Sequence, residues 1–554
     1  MNALRGTALL AAGASLAACA SIDAPATAPS SRSYADFLVG RVANLTDDYD
    51  AASDRYTSAL ARAPDNQDLV EGAVTAALAA GDIDRARAAA RLAHGPDAPA
   101  VAHLVRGADA LVAQRWSQAD AELTTANSGA AQALMARIMR VWARAGAHQV
   151  QDVDPDLRPL LNIRPYGGLL QYQQAMALDY VGRNSDALTA YMNAAGAGMW
   201  LPPAIERNAD LLARQGARDQ AVELLNLPAN QANPALTAAA QRLHAGQNAS
   251  AQPLTPARGA AAGLYGLAAI YLQESDNTNG LAALTIALIL DPNADAARLA
   301  FAQAQSDLHH GDLARSVLHE VDAQSPYASS ARTMEAWTLV ADGRNDEAIA
   351  MARAAAAGND TRAKRALADI YRTSRHDAEA EAIYSELIAT APDDWHLWFA
   401  RGAARVRLHR QAEGEADLQH ALQLAPEQPD ILNYLGYSWV DRGEHMQEGL
   451  AMIQRAVALR PDNAAVIDSL GWAYYRMRDY PRALENLEHA VELEAGDPTL
   501  NDHLGDVYWR VGRRTEARYQ WQRALSFNPD DPAPIQQKLE HGLPAEPPER
   551  AVAR

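Results

Sequence analysis

Ile467-Asp468-Ser469-Leu470-Gly471-Trp472-Ala473-Tyr474-Tyr475-Arg476 is answered by Asn501-Asp502-His503-Leu504-Gly505-Asp506-Val507-Tyr508-Trp509-Arg510, with the Leu-Gly pair displaced by 34 residues. Ala483 maps onto Ala517 and Ala490 onto Ala524 at the same step, and Leu435-Gly436-Tyr437 precedes by 35, its extra residue falling in 443–449. The register continues backwards through Gly402, Ala368, Ala336, Ala302 and Ala268. After an interruption it resumes at Ala209, Ala175, Gly107, Val74 and Gly40, and each of these positions has a second small residue twelve further on. Proline discriminates better than alanine. It stands 24 positions after the register residue at Pro64, Pro292, Pro326, Pro392, Pro426 and Pro529, and at Pro461 once the insertion is allowed, in a chain with 28 prolines among 554 residues. Chance at that frequency supplies fewer than one.

A fixed period of this length predicts one helix–turn–helix unit repeated along the chain. The paired small residues let two antiparallel helices approach, aromatics such as Tyr371, Trp439, Tyr474 and Tyr508 fill the gaps around them, and the proline stops the second helix. The pattern resembles the tetratricopeptide repeat, with its small, aromatic, alanine and proline landmarks in this order. The resemblance spans residues 34–530 with interruptions and implies an all-α, right-handed superhelical solenoid of about 13–14 repeats. We expect an N-terminal array over 34–225, an irregular Asn/Gln/Ala/Pro-rich connection over 226–260 and a C-terminal array over 261–530. A capping segment and unstructured tail follow over 531–554. One degenerate repeat is expected around Val141, closing at Pro165, with no small landmark in Gln151-Asp152-Val153-Asp154-Pro155.

The start of the chain reads as an address. Met1-Asn2-Ala3-Leu4-Arg5 places one positive charge before an uncharged stretch that closes on Leu16-Ala17-Ala18-Cys19. A basic start, a short apolar run and small residues before the break describe a secretory signal over 1–18 rather than a membrane helix. Cys19 is the only cysteine. The segment resembles a bacterial lipobox, which implies lipidation of Cys19 and cleavage before it, with membrane contact through the lipid anchor alone. Ala20 at the following position implies an outer-membrane lipoprotein facing the periplasm. Residues 19–33 read as a flexible stalk.

Composition narrows the function. With 49 basic and 68 acidic side chains the net charge is −19, which speaks against nucleic acid and anionic lipid surfaces as partners. A catalytic motif is not legible. Gly436-Tyr437-Ser438-Trp439-Val440 lacks the second glycine of a nucleophile elbow, and His309-His310 reads as a solvated turn without further ligands at helical spacing. We therefore expect no catalytic residues, no metal and no cofactor. A binding face is the better prospect: Asp468, Trp472 and Arg476 share one side of a helix with Tyr475 beside them. Asp502, Asp506 and Arg510 recur with Trp509 one repeat on, and Asn433 and Tyr437 stand one repeat before. Carboxylates beside aromatics suit an extended peptide or protein surface that carries positive charge.

Lipobox, size and the Leu-Gly-Trp and His-Leu-Gly-Asp-Val-Tyr-Trp-Arg segments are similar to those of adaptor lipoproteins that bind carboxyl-terminal processing proteases. That resemblance implies a non-enzymatic periplasmic adaptor whose partners are proteins, a protease recruited toward cell-wall hydrolases. The alternative is a structural scaffold subunit of an envelope secretion or polysaccharide-export assembly.

Overall fold

A computed structural model describes residues 31–95, 97–149, 160–358 and 360–545. The signal segment, Cys19, most of the stalk, Gln151–Pro155 and the tail from 546 lie outside the described residues. Thirty helices and no strand occur among the described residues. The first helix, Ser31–Leu45, already takes in the last three residues expected of the stalk, and Ser33 is buried against the carbonyl of Ala59.

The small landmarks do what their spacing requires. Ala52, Ala86, Ala119, Ala187, Ala221, Ala314, Ala348, Ala380, Ala483 and Ala517 are all at 0% exposure, each sealed between the two helices of a hairpin. Where both landmarks are glycine, the backbones themselves meet. A Cβ on Gly436 would lie 2.7 Å from the Gly449 carbonyl oxygen, and one on Gly449 would lie 2.8 Å from that of Gly436. Repeats begin on polar caps: Asn463 Oδ1 accepts from the Val466 amide at 3.0 Å, and Asp497 accepts from Leu500 at 3.0 Å ahead of Pro498. Pro392, Pro426 and Pro461 each stand two residues beyond a second helix, those ending at Thr390, Leu424 and Leu459. Between the two helices of these hairpins the chain turns through a left-handed residue, at Ser275, His309, Gly343, Arg375, His409, Gly443, Arg478 and Gly512, with a second at His445 in the longer turn that follows Gly443. His309 is such a turn residue, and His310 Nδ1 lies 2.8 Å from Gln305 Oε1.

Two compact units result, one running to Arg344 and the other from Asn345. The division expected over 226–260 is not an irregular connection: that stretch holds the helices Pro228–Gln231 and Pro234–His244 and the start of Pro256–Gln273. The reason the boundary lies later is the hairpin Pro256–Gln273/Asn277–Leu290. It is apolar on nearly every side, and every residue from Gly280 to Leu290 is buried. A helix with no polar face has to be surrounded, and the earlier repeats surround it. Its second helix packs on Gln67–Ala79, where buried Thr285 donates to the Leu78 carbonyl at 2.7 Å. Its first helix packs on Ala130–Gly146 and Gly167–Tyr180, with Gly259 under the Trp142 ring and Gly263 beside Ile138 and Gln173. Trp142 donates to Gln173 at 2.7 Å within the same layer. One continuous core therefore runs from Ala43 to Ala304, and the first unit is not a stack in which each repeat meets only its neighbours.

The second unit is simpler. From Asn345 onwards each helix packs on the next in the chain, and the last hairpin is covered by Pro532–His541, close to the segment expected as a cap.

Candidate functional site

The first helices of three successive hairpins, Pro429–Arg442, Ala464–Arg476 and Pro498–Arg510, lie side by side and supply the candidate residues. Their landmark glycines face the hairpin partners, and the hydroxyls of Tyr474 and Tyr508 reach Gln454 and Glu488 on the second helices of the preceding hairpins, which leaves the neighbouring positions to form a separate face.

At its centre is an aromatic stack. Trp472 lies between Tyr475, with ring centroids 4.7 Å apart and planes at 16°, and His503, 4.1 Å away at 18°. The Trp472 indole N–H points to Asp441 Oδ1 at 3.3 Å, and Arg476 donates to the same oxygen at 2.7 Å. His503 is held from behind by Asp468, whose two oxygens each lie 2.9 Å from its Nδ1. Burial alone depresses the His503 pKa, but Asp468, helped by Asp506 and Asp502, more than offsets this and holds it above the usual histidine value. Tyr437 sits close enough to Asp441, Asp468 and Arg476 to feel their charges, and its burial raises its pKa. Asn433 is half-buried and its Oδ1 has no hydrogen-bond partner.

The second set of candidates meets a different environment. Asp502, Asp506, Trp509 and Arg510 are covered by the chain's own C-terminal segment, so the expectation that they line an open groove does not hold for this end of the face. Lys538 donates to Asp502 at 2.8 Å and to Asp506 at 2.9 Å, and Arg510 donates to the Pro544 carbonyl at 2.8 Å. Trp509 is wedged under Gly542 and against Trp521, with ring centroids 5.5 Å apart. Asp506 also accepts from the Trp521 indole at 3.0 Å; its burial, more than Lys538 compensates, raises its pKa. The physical reason is length: the last repeat has an exposed flank, and residues 532–545 are long enough to return across it.

Asp441, His503 and Lys538 belong to the site and were not among the sequence candidates. His503 stands 35 residues after Asp468, one repeat step plus one, which is a legible signal. Lys538 lies beyond the periodic region and carries none.

Among the described residues no group of histidine, cysteine, aspartate or glutamate is placed to hold a metal ion, and no helix is long and apolar enough to cross a membrane. The face offers stacking surface, carboxylates and a guanidinium, and no nucleophile activated by a neighbouring base.

Tetratricopeptide-repeat family models match residues 367–433, and residues 333–394 and 469–532. No curated protein matches the chain. Among solved structures, a tetratricopeptide repeat protein from Parabacteroides merdae is similar at 15% identity over 44% of this chain and 96% of its own, with a TM-score of 0.38. Cut9–Hcn1 of the APC/C is similar at 15% identity over 93% and 97%, with a TM-score of 0.40. MamA is similar at 22% identity over 29% and 93%, with a TM-score of 0.25. The matched segments coincide with hairpins whose landmark residues are sealed between paired helices, so residues 333–433 and 469–532 are tetratricopeptide repeats within an all-α array of helical hairpins.

Proposed function

We propose that this protein is a non-enzymatic adaptor that holds a protein partner on the stacked face of its second unit, tethered to the periplasmic side of the outer membrane through lipid on Cys19. Tetratricopeptide repeats are protein-interaction scaffolds, so the binding class follows from the fold, and the location of the site rests on one observation. The Tyr475–Trp472–His503 stack is flanked by Asp441 and Arg476 and is half-covered, with its polar rim satisfied. Large aromatics held in a fixed geometry lose little freedom when a partner covers them, which is why such residues dominate binding energy.

The partner class favoured by the sequence resemblance is a carboxyl-terminal processing protease brought to cell-wall hydrolases. Capture from envelope extract with the mature chain tests it. Trp472→Ala with Tyr475→Ala should weaken capture about thirtyfold or more, since an aromatic anchor is worth about 2 kcal/mol or more. Undiminished capture by a folded double variant would place the site elsewhere. Co-purification with membrane channel proteins in place of a soluble protease would support the scaffold-subunit alternative. For the anchor, Cys19→Ser should abolish metabolic palmitate labelling and release the protein from membranes; a labelled variant defeats that part of the reading.

A further inference from the structure

The first helix, Ser31–Leu45, is apolar on two sides. Its inner side is covered: the Phe37 and Tyr56 rings meet edge-on at 6.0 Å, Gly40 lies against Arg55 and Tyr56, and Ser33 donates to the Ala59 carbonyl at 3.2 Å. Its outer side is not. Tyr34, Leu38 and Val42 follow one another at i, i+4 and i+8, with Leu45 a turn further and Val39 beside them, and Val42 and Leu45 are 61% and 75% exposed. We propose that this outer face docks on a phospholipid membrane, lying among the headgroups of the bilayer that holds the lipid on Cys19.

A terminal repeat has no neighbour beyond it, so its outer surface has to be polar if water is to cover it. The last hairpin is capped by Pro532–His541, whereas the first helix turns five large apolar side chains outward. Charge points to what covers them. Arg32 and Arg41 are exposed, and the 3.6-residue turn places them on opposite flanks of the apolar stripe. The one carboxylate of the helix, Asp36, is turned inward onto Arg55 and Arg62. Those of the following turn are engaged as well: Asp47 accepts from the Tyr49 hydroxyl, and Asp48 accepts from the Ala51 amide. The net charge of −19 is therefore a property of the whole chain and not of this face. An apolar stripe flanked by arginines is the pattern of helices that lie in the plane of a bilayer interface, the arginines meeting anionic headgroups.

Chain length selects among the occupants. Ser31 stands twelve residues after Cys19, so a lipid there keeps the helix within about 40 Å of the bilayer surface whatever path the intervening chain takes. That intervening stretch, residues 20–30, contains one large apolar side chain, Ile22, and is too polar to cover five. A second copy would set arginine against arginine, and the stripe itself holds no carboxylate to answer them. The bilayer answers both the stripe and its flanks. The proposal rests on the lipidation of Cys19 and adds to it. Contact expected through the anchor alone becomes contact through a folded surface, which sets the orientation of the first hairpin on the membrane.

The test replaces the natural anchor, so that it does not depend on what Cys19 carries in the cell. The full mature chain with Cys19→Ser and an N-terminal histidine tag is tethered to vesicles of phosphatidylethanolamine and phosphatidylglycerol doped with nickel-chelating lipid. Val42→Cys then supplies the only thiol, for an environment-sensitive fluorophore. Blue-shifted emission, quenched by nitroxides on the acyl chains, is expected. Leu38→Glu should lower that quenching about tenfold, the size expected when a carboxylate replaces a leucine at the interface. Arg32→Gln with Arg41→Gln should lower it on these vesicles and leave it unchanged on phosphatidylcholine. All three positions are exposed, so circular dichroism should not change. An unquenched fluorophore at position 42, or quenching indifferent to Leu38→Glu or to the arginine pair, overturns the proposal. So does a dimer of the vesicle-free chain that Leu38→Glu dissociates, since a second copy would then own the face. Absence of palmitate on Cys19 is a failure of the anchor, read out in cells and separately from these vesicles.

Discussion

The carboxylates around His503 favour its protonated form, and this makes the stacked face sensitive to pH in a direction that can be worked out. Its folded pKa lies above the unfolded histidine value of about 6.5, so the folded state binds the proton more tightly. The stabilisation is complete below the unfolded pKa and is lost as pH rises through the folded one. We therefore expect the melting temperature of the wild type to fall, relative to His503→Gln, as pH is raised from about 6 upwards. A difference between the two proteins that is flat or grows with pH would show that Asp468 does not hold a charged imidazole. Trp509 makes a contrasting case. Wedged against Trp521 and Gly542, with Arg514 and Arg518 over its ring, it is a packing residue of the cap. Trp509→Ala should cost about 3–5 kcal/mol at full burial and less here, since the ring is only half-buried, and, because Trp509 packs against the buried core of the last repeats, should lower the melting temperature more than Trp472→Ala.

At the scale of the helical hairpin, the turn geometry is testable separately from packing. Gly443 has φ of 73°, and a Cβ there would meet nothing within 4 Å, so any cost of Gly443→Ala is conformational. About 1–2 kcal/mol of destabilisation is expected from forcing a side chain into the left-handed region, less the entropy that alanine removes from the unfolded chain. An unchanged denaturation midpoint would mean that the turn relaxes. These hairpins are also where the sequence is most informative. A 34-residue step with small residues twelve apart dictates which helices pair, because a close approach tolerates nothing larger, and all ten alanines named above are sealed. Periodicity is silent about anything not periodic. It could not show that residues 538–544 return over Trp509 and Arg510, because Lys538 has no counterpart one repeat earlier. Nor could it distinguish Pro256–Leu290 from an ordinary repeat. Gly280 sits twelve after Ala268 as the rule requires, and the difference lies in the polar face that this hairpin lacks. The candidates at Asp468, Trp472, Tyr475 and Arg476 do come together, since one helix face is a local property. Their partners Asp441 and His503 are supplied by the neighbouring repeats.

At the scale of the first unit, the buried hairpin ties the repeats into one cooperative body. Gly263→Leu should therefore act at a distance. Its side chain would collide with Ile138 and Gln173, whose atoms lie 2.6 and 2.7 Å from the Cβ position, and overpacking of this kind typically costs about 1–3 kcal/mol. Because the helices Gln67–Ala79, Ala130–Gly146 and Gly167–Tyr180 all rest on the hairpin, hydrogen exchange should quicken across them together. Faster exchange confined to 256–290 would restore the picture of independent neighbours.

The same hairpin imposes an order on biosynthesis. Leu78 is separated by 207 residues from Thr285, whose hydroxyl its carbonyl accepts. At about 5–20 residues per second the ribosome needs about 10–40 s to deliver that partner. Through this interval the early repeats present to their surroundings the alanine- and leucine-rich surfaces destined for the interior. A protein whose period invites folding repeat by repeat from the N-terminus can therefore close the core of its early repeats only once residues 256–290 have emerged.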